Sequence, residues 1–129
     1  MTPTEHCQTE LRVPNDSRAV GAVRGALEHT SRHLGLPPEE EAALIATTEG
    51  LLQEALATLA ADETVTVRVG EHPNRIEIDL ERPGAGHGEW AAARKLAGID
   101  RVEEQTGAVE TRLKLVKFLP GAHPSHAHS

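Results

Sequence analysis

Residues 42–59 carry the pattern that most restricts how this chain can fold. Apolar side chains recur there at spacings of three and four, which places them on one side of an α-helix. This stripe consists of Leu44, Ile45, Thr48, Leu51, Leu52, Ala55, Leu56 and Leu59. A stripe of this breadth must pack against another apolar surface. Glu49 and Gln53 lie four residues apart at its edge, so on a helix they project from the same side, either into a pocket or into solvent.

Two runs of alternating apolar and polar residues predict β-structure. Residues 64–69 and 75–80 alternate, and residues 70–74 between them have the composition of a hairpin loop. One face of the hairpin carries Val65, Val67, Val69, Ile76, Ile78 and Leu80. The other face carries polar and charged side chains, so the sheet is predicted to have one buried face and one solvated face.

The remaining segments give the order strand, helix, helix, strand, strand, helix, strand, strand. Besides the hairpin, we predict a strand at 9–13, a helix from the cap residues 15–17 to Gly35, a helix from Pro38 to about Ala61, a helix at 89–97 closed by Gly98, and strands at about 100–105 and 108–117. Gly50, inside the second helix, is expected to mark close packing against a strand. Because hairpins dominate this order, the predicted fold class is α+β, a two-layer sandwich with a mixed, mainly antiparallel sheet and helices on one face.

Composition narrows the domain organisation and the partners. The 129 residues fit one domain, predicted at 9–119, between a disordered N-terminus at 1–8 and a disordered tail at 120–129. The 20 acidic and 13 basic residues give a net charge of −7, which would repel nucleic acid. No apolar run reaches the length of a membrane span and no signal peptide begins the chain, so a cytoplasmic protein is expected. The single cysteine, Cys7, excludes an internal disulfide framework.

The histidines offer a candidate for metal binding. His123, His126 and His128 lie close together in the tail, and their imidazoles could converge on a transition metal. No carboxylate or cysteine accompanies them and no rigid element orients them, so a simple polar tail is favoured. His87 is a lone histidine in a glycine-containing loop, where a structural role is the more ordinary one.

The element order and two stretches of sequence resemble one known family. Residues 22–37, followed by the helix that carries Glu49, look like the anti-sigma factor serine kinases of bacterial stress and sporulation control. Residues 94–103 and 111–117 are similar to the last helix and strand pair of that family. The family belongs to the GHKL (histidine-kinase-like) ATPase fold. The resemblance spans roughly residues 9–117 and implies the same fold for this chain.

The resemblance implies a nucleotide site, and the first departure from it lies in the helix motif E-x-x-x-N. Glu49 matches the acid, which in the family acts as base or positions water. Gln53 stands where the family has the Asn that holds Mg²⁺. A glutamine places its carbonyl oxygen one methylene further out, and Mg²⁺ tolerates little change in geometry.

The second departure lies in the strand-end motif D-x-G-x-G, which Gly84 and Gly86 match. Arg82 replaces the Asp that accepts a hydrogen bond from the adenine amino group, and arginine has only donors. Shifting the alignment by one residue puts Glu81 at this position, but it loses the glycine match and turns the side chain to the other face of the sheet. We favour the alignment on Arg82.

The third departure is the lid that wraps the phosphates at a helix N-terminus. Between Gly86 and the predicted 89–97 helix there is no room for a lid and no matching glycine motif. Three departures in one site indicate that the nucleotide chemistry is degraded.

The sequence therefore predicts a non-catalytic regulatory protein that binds a protein partner and needs no cofactor. By resemblance, the partner is a sigma factor or a STAS-type anti-sigma antagonist, and a homodimer forms through the first strand and first helix. One alternative is an active ATP-dependent serine/threonine protein kinase, with Glu49 as base, Gln53 at Mg²⁺, and Gly84 and Gly86 at the nucleotide. Another is a small-ligand pocket in which Arg82 binds an anion such as a carboxylate or phosphate.

Overall fold

A computed structural model describes residues 7–84 and 96–120 of the chain. In these ranges the elements are β1 (Cys7–Val13), α1 (Ser17–His33), α2 (Pro38–Leu56), β2 (Val65–His72), β3 (Arg75–Pro83), β4 (Arg101–Thr106) and β5 (Glu110–Phe118). Most of the helix predicted at 89–97 lies outside the described residues. Leu96 and Ala97 lie inside them and are not helical.

The five strands form one sheet in the order β1-β2-β3-β5-β4, and every neighbouring pair is antiparallel. Both helices contribute to the same core as the sheet. The predicted two-layer α+β sandwich is thus confirmed, although the described sheet is wholly antiparallel rather than mixed. No helix in the described part of the chain is long and apolar enough to cross a bilayer.

The β2–β3 hairpin has the predicted alternation. Val67 lies opposite Leu80 and Val69 lies opposite Ile78, and all four side chains are buried. The connecting loop is shorter than predicted, since His72 pairs with Arg75 and only residues 73–74 remain between the strands. Cross-strand pairing therefore extends β2 to His72, into the segment that composition assigned to the loop, while β3 begins at Arg75 as predicted.

The helices begin where the sequence predicted and end earlier. The Asp16 side chain accepts a hydrogen bond from the backbone N–H of Arg18 at 2.9 Å and caps α1. The prediction that α2 runs to about Ala61 is wrong, because the helix ends at Leu56. Beyond it, the Thr58 N–H and the Thr58 hydroxyl both bond to the Ala55 carbonyl, at 3.1 and 2.8 Å. These local bonds tighten the chain and compete with another helical turn.

Two glycines have roles that differ from expectation. Gly50 is exposed, and a Cβ added there would meet no atom within 4 Å, so the prediction of close packing at Gly50 is wrong. Close packing occurs at Gly98, where an added Cβ would lie 2.8 Å from the backbone nitrogen of Leu44. Gly98 also has a φ of 80°, which favours glycine. The Thr47 hydroxyl donates to the Ala97 carbonyl at 2.7 Å, so this segment packs on α2.

Candidate functional site

Arg82 lies near the end of β3 on the face of the sheet that the helices cover. It continues the buried alternation of β3 and is itself only 4% exposed. Thr111 of β5 lies opposite it and is also buried. Glu81 faces the other side, where it forms ion pairs with Arg68 at 3.1 Å and Arg112 at 3.4 Å. The strand thus directs Arg82 inward and Glu81 outward, which is the arrangement on which the favoured alignment depends.

Two carboxylates lie in the electrostatic surroundings of Arg82. Burial lowers the pKa of Arg82, while the negative charges of Glu104 and then Glu54 raise the pKa. Glu104 comes from β4 and Glu54 from α2, next to Gln53. An arginine keeps its charge in proteins. The end of the sheet therefore holds a buried cation with acidic neighbours.

Glu49 forms an ion pair with Arg24 of α1. Arg24 donates from Nε to Oε2 of Glu49 at 2.9 Å and from Nη2 to Oε1 at 2.7 Å. This bidentate hydrogen bonding raises the pKa of Arg24. The Glu49 side chain is 19% exposed, whereas Gln53, one turn later, is exposed. The acid of the predicted E-x-x-x-N motif thus ties the two helices together.

A second ion pair joins the same two helices. Arg32 of α1 lies 3.3 Å from Glu41 of α2, and the Glu41 side chain is 12% exposed. A groove of about 310 Å³ runs between these pairs, with Ala42, Ile45 and Ala46 in its lining. The groove lining includes Arg24, the partner of Glu49, but neither Glu49 nor Gln53 lines the groove.

Gly84 has both backbone polar groups bonded to the β5 side of the sheet. Its N–H donates to the Val109 carbonyl at 2.8 Å, and its own carbonyl accepts from the Thr111 hydroxyl at 2.9 Å. Its φ of 95° explains why a glycine stands there. Val109 was predicted to be in the strand, but β5 begins at Glu110 and Val109 is 73% exposed. Gly86 lies outside the described residues.

The structure places the predicted site residues at two locations. Glu49 contacts α1, while Arg82 and Gly84 lie at the ends of β3 and β5. Sequence reasoning missed Arg24, Glu54 and Glu104 as the charged neighbours of these residues. A signal was present in Arg82 itself, because a cation on a buried alternation requires acidic neighbours.

No group of three or more metal-ligating His, Cys, Asp or Glu side chains occurs within the described ranges. His87 and the tail histidines His123, His126 and His128 lie outside those ranges. A scan against protein-family models gives no match for this chain, and a search of curated proteins gives no significant match. The resemblance to the anti-sigma factor kinases therefore rests on the motif residues and the order of elements.

Proposed function

We propose that this protein is a non-catalytic regulatory domain, similar to the anti-sigma factor kinases, that binds a protein partner and does not turn over ATP. The observation that carries the proposal is Arg82, a buried guanidinium on the helix-covered face of the sheet. By the resemblance, this is where an adenine amino group would need an acceptor. A guanidinium offers the adenine amino group only donors, and burial leaves little water to compensate for the mismatch.

The other described residues of the implied site support the same conclusion. Glu49, which would act on water or a hydroxyl, accepts two hydrogen bonds from Arg24. Gly84, which would approach the nucleotide, has its N–H and its carbonyl bonded within the protein. Gln53 is exposed. Binding Mg²⁺ and ATP would require several of these contacts to be replaced.

The exposed faces of the helices are the proposed binding surface for a sigma factor or a STAS-type antagonist. Gly21 and Gly25 of α1 are exposed, as is Gly50 of α2, and a Cβ added to any of the three would meet nothing within 4 Å. Small side chains leave the helix backbones open to close approach by another element. The resemblance also implies a homodimer through β1 and α1, and β1 is at one edge of the sheet. Such a regulator would act in the cytoplasm.

The alternatives make different demands on the same residues. An active kinase needs Glu49 released from Arg24. A pocket for an anion at Arg82 needs the anion to outcompete Glu104 and Glu54, whose charges already act on this guanidinium. The retention of a partly buried Glu49 is the observation that favours the kinase.

The first test is calorimetric titration of three proteins with ATP and Mg²⁺: the wild type, Arg82→Asp and, as a matched control, Arg12→Asp. Arg12 is an exposed arginine of β1 on the opposite face of the sheet. We expect no binding by the wild type at millimolar affinity, with circular dichroism confirming the fold of each protein. Mg²⁺-dependent binding of ATP by the wild type would replace this proposal with the kinase. Binding of inorganic phosphate lost only in Arg82→Asp would favour the anion pocket.

The second test concerns the partner. Sigma factors and STAS-domain proteins from the source genome are titrated one by one, with and without ATP, and the mass of the protein is measured by light scattering. We expect one of them to bind equally well without nucleotide. A strict requirement for ATP, or the absence of any binding, would contradict the proposal, and a monomeric mass would remove the homodimer from it.

A further inference from the structure

The sheet face that points away from the helices carries a row of alternating charge. One residue from each strand lies in register with the next, in the spatial order Glu10, Arg68, Asp79, Lys114 and Glu103. Asp79 is in the middle of this row, with a cation in register on either side. Cross-strand neighbours of opposite charge are a common way to stabilise a solvated sheet face.

The ion pairs that form do not include Asp79. Arg68 lies 3.2 Å from Glu10 and 3.1 Å from Glu81, and Lys114 lies 3.6 Å from Glu77. Among the described residues, no cation comes within 4.0 Å of the Asp79 carboxylate, and its buried Oδ1 atom accepts no hydrogen bond. Its two neighbours in the row, Arg68 and Lys114, contact other acids instead.

This arrangement is costly for an isolated protein. The Asp79 side chain is half-buried, and its Oδ1 atom loses hydration without gaining a hydrogen bond from the described residues. Burial raises the pKa of Asp79, against the lowering effect of the cations Lys114 and Arg112. A buried polar atom without a hydrogen bond in the protein commonly has a water molecule, an ion or a ligand as its partner.

A cleft lies at this carboxylate, and we call it the open-face cleft. It is lined by Asp79, Glu103, Gln105, Arg112 and Lys114 and has a volume of about 200 Å³. The volume is that of roughly six or seven water molecules in the liquid, which suits a ligand with a similar number of non-hydrogen atoms. Two acids, two bases and one amide line it, so its charges balance.

We propose that the open-face cleft binds a small zwitterion, with the ligand ammonium at Asp79 and Glu103 and the ligand carboxylate at Arg112 and Lys114. An anion alone would approach two carboxylates, and a cation alone would approach two bases, whereas a zwitterion pairs with both. The contacts that Arg112 and Lys114 already make, at 3.4 and 3.6 Å, are long, and both side chains have further N–H donors. The cleft lies on the opposite face of the sheet from Arg82, so the proposal is independent of the regulatory function proposed above.

The test is an NMR titration of the whole chain with glycine, β-alanine and γ-aminobutyrate, which separate the two charges by increasing lengths. Propylamine and propionate serve as probes that lack one of the charges. We expect backbone shifts at Gln105 and Lys114 with at least one zwitterion, and affinity weaker by about tenfold or more with either single-charge probe.

Three variants identify the residues. Asp79→Asn keeps the shape of the side chain and removes the charge, and Glu103→Gln does the same at an exposed site. Glu10→Gln, at the far end of the same row, is the matched control. We expect about tenfold weaker binding in Asp79→Asn, a smaller loss in Glu103→Gln and no change in Glu10→Gln.

Several results would overturn the proposal. The first is the absence of any NMR shift with each zwitterion at about 10 mM, because a dedicated site would have a lower dissociation constant than this. The second is binding of propylamine with the same affinity as the zwitterions. The third is unchanged zwitterion binding by a folded Asp79→Asn protein.

Discussion

Asp79 shows at the scale of one residue how burial and charge compete. Its pKa is raised because desolvation outweighs the cations around it. A carboxyl group with a raised folded-state pKa favours folding while it is protonated and loses that advantage as the pH rises through the folded-state value. Asp79 therefore reduces stability at neutral pH.

We predict that Asp79→Asn is more stable than the wild type at pH 7, by about 1 kcal/mol, because a half-buried charge is removed. The difference should disappear below about pH 3, where the wild-type carboxyl is protonated in both states. Urea unfolding of both proteins across this pH range measures it. Glu81→Gln is the control, since Glu81 is ion-paired with Arg68 and should gain nothing. A difference for Asp79→Asn that is independent of pH would contradict this account.

The ion pairs of the candidate site could not be predicted residue by residue. Arg24 and Glu49 are 25 positions apart, and their contact depends on how α1 crosses α2. Arg82 was different, because the alternation of β3 predicted which face it occupies. What the alternation could not supply is the identity of its acidic neighbours, which come from β4 and α2.

The type and approximate position of each helix and strand follow from local sequence, whereas the residue at which each element ends does not. The hairpin and both described helices were predicted from periodicity, since spacing of two or of three and four fixes which side chains share a face. The end of α2 depends on the Thr58 side chain and on turns that follow it. Gly50, within α2, and Gly98, in a turn that packs on α2, allow the local and the tertiary effects of a glycine to be compared directly.

We predict that Gly50→Ala stabilises the protein by about 0.5–1 kcal/mol, because Gly50 is an exposed position within α2 with no atom near the added methyl group. Gly98→Ala should destabilise it by more than about 1 kcal/mol, because φ is 80° and the methyl group would collide with the α2 backbone. Thermal unfolding of both variants gives the comparison. Two changes of the same sign would show that one of these environments is described incorrectly.

At the scale of the whole molecule, the described residues of the two layers share a single hydrophobic core. Leu52 of α2 and Leu115 of β5 are both fully buried in it. Among the described elements, the apolar stripes of both helices and the inner face of the sheet pack into this one core, and Leu96 and Ile99 pack against it as well. The two layers should therefore unfold together.

We predict that Leu52→Ala and Leu115→Ala each lower the free energy of unfolding by about 2–5 kcal/mol and shift one common transition. Calorimetry and circular dichroism should give coincident curves for each variant. Gln53→Ala, next to Leu52 but exposed, is the control and should change stability by less than about 0.5 kcal/mol. Separate transitions for the helices and the sheet would contradict a shared core.

The sequence by itself determined which side chains face inward, because helix and strand periodicities are local properties of the chain. It thereby determined the α+β layering and the inward position of Arg82. The tertiary structure alone decided which charges meet. The strand order β1-β2-β3-β5-β4 places Asp79 between Arg68 and Lys114. The packing of α1 on α2 brings Arg24 within hydrogen-bond distance of Glu49. These contacts join residues far apart in the chain, so no local pattern contains them.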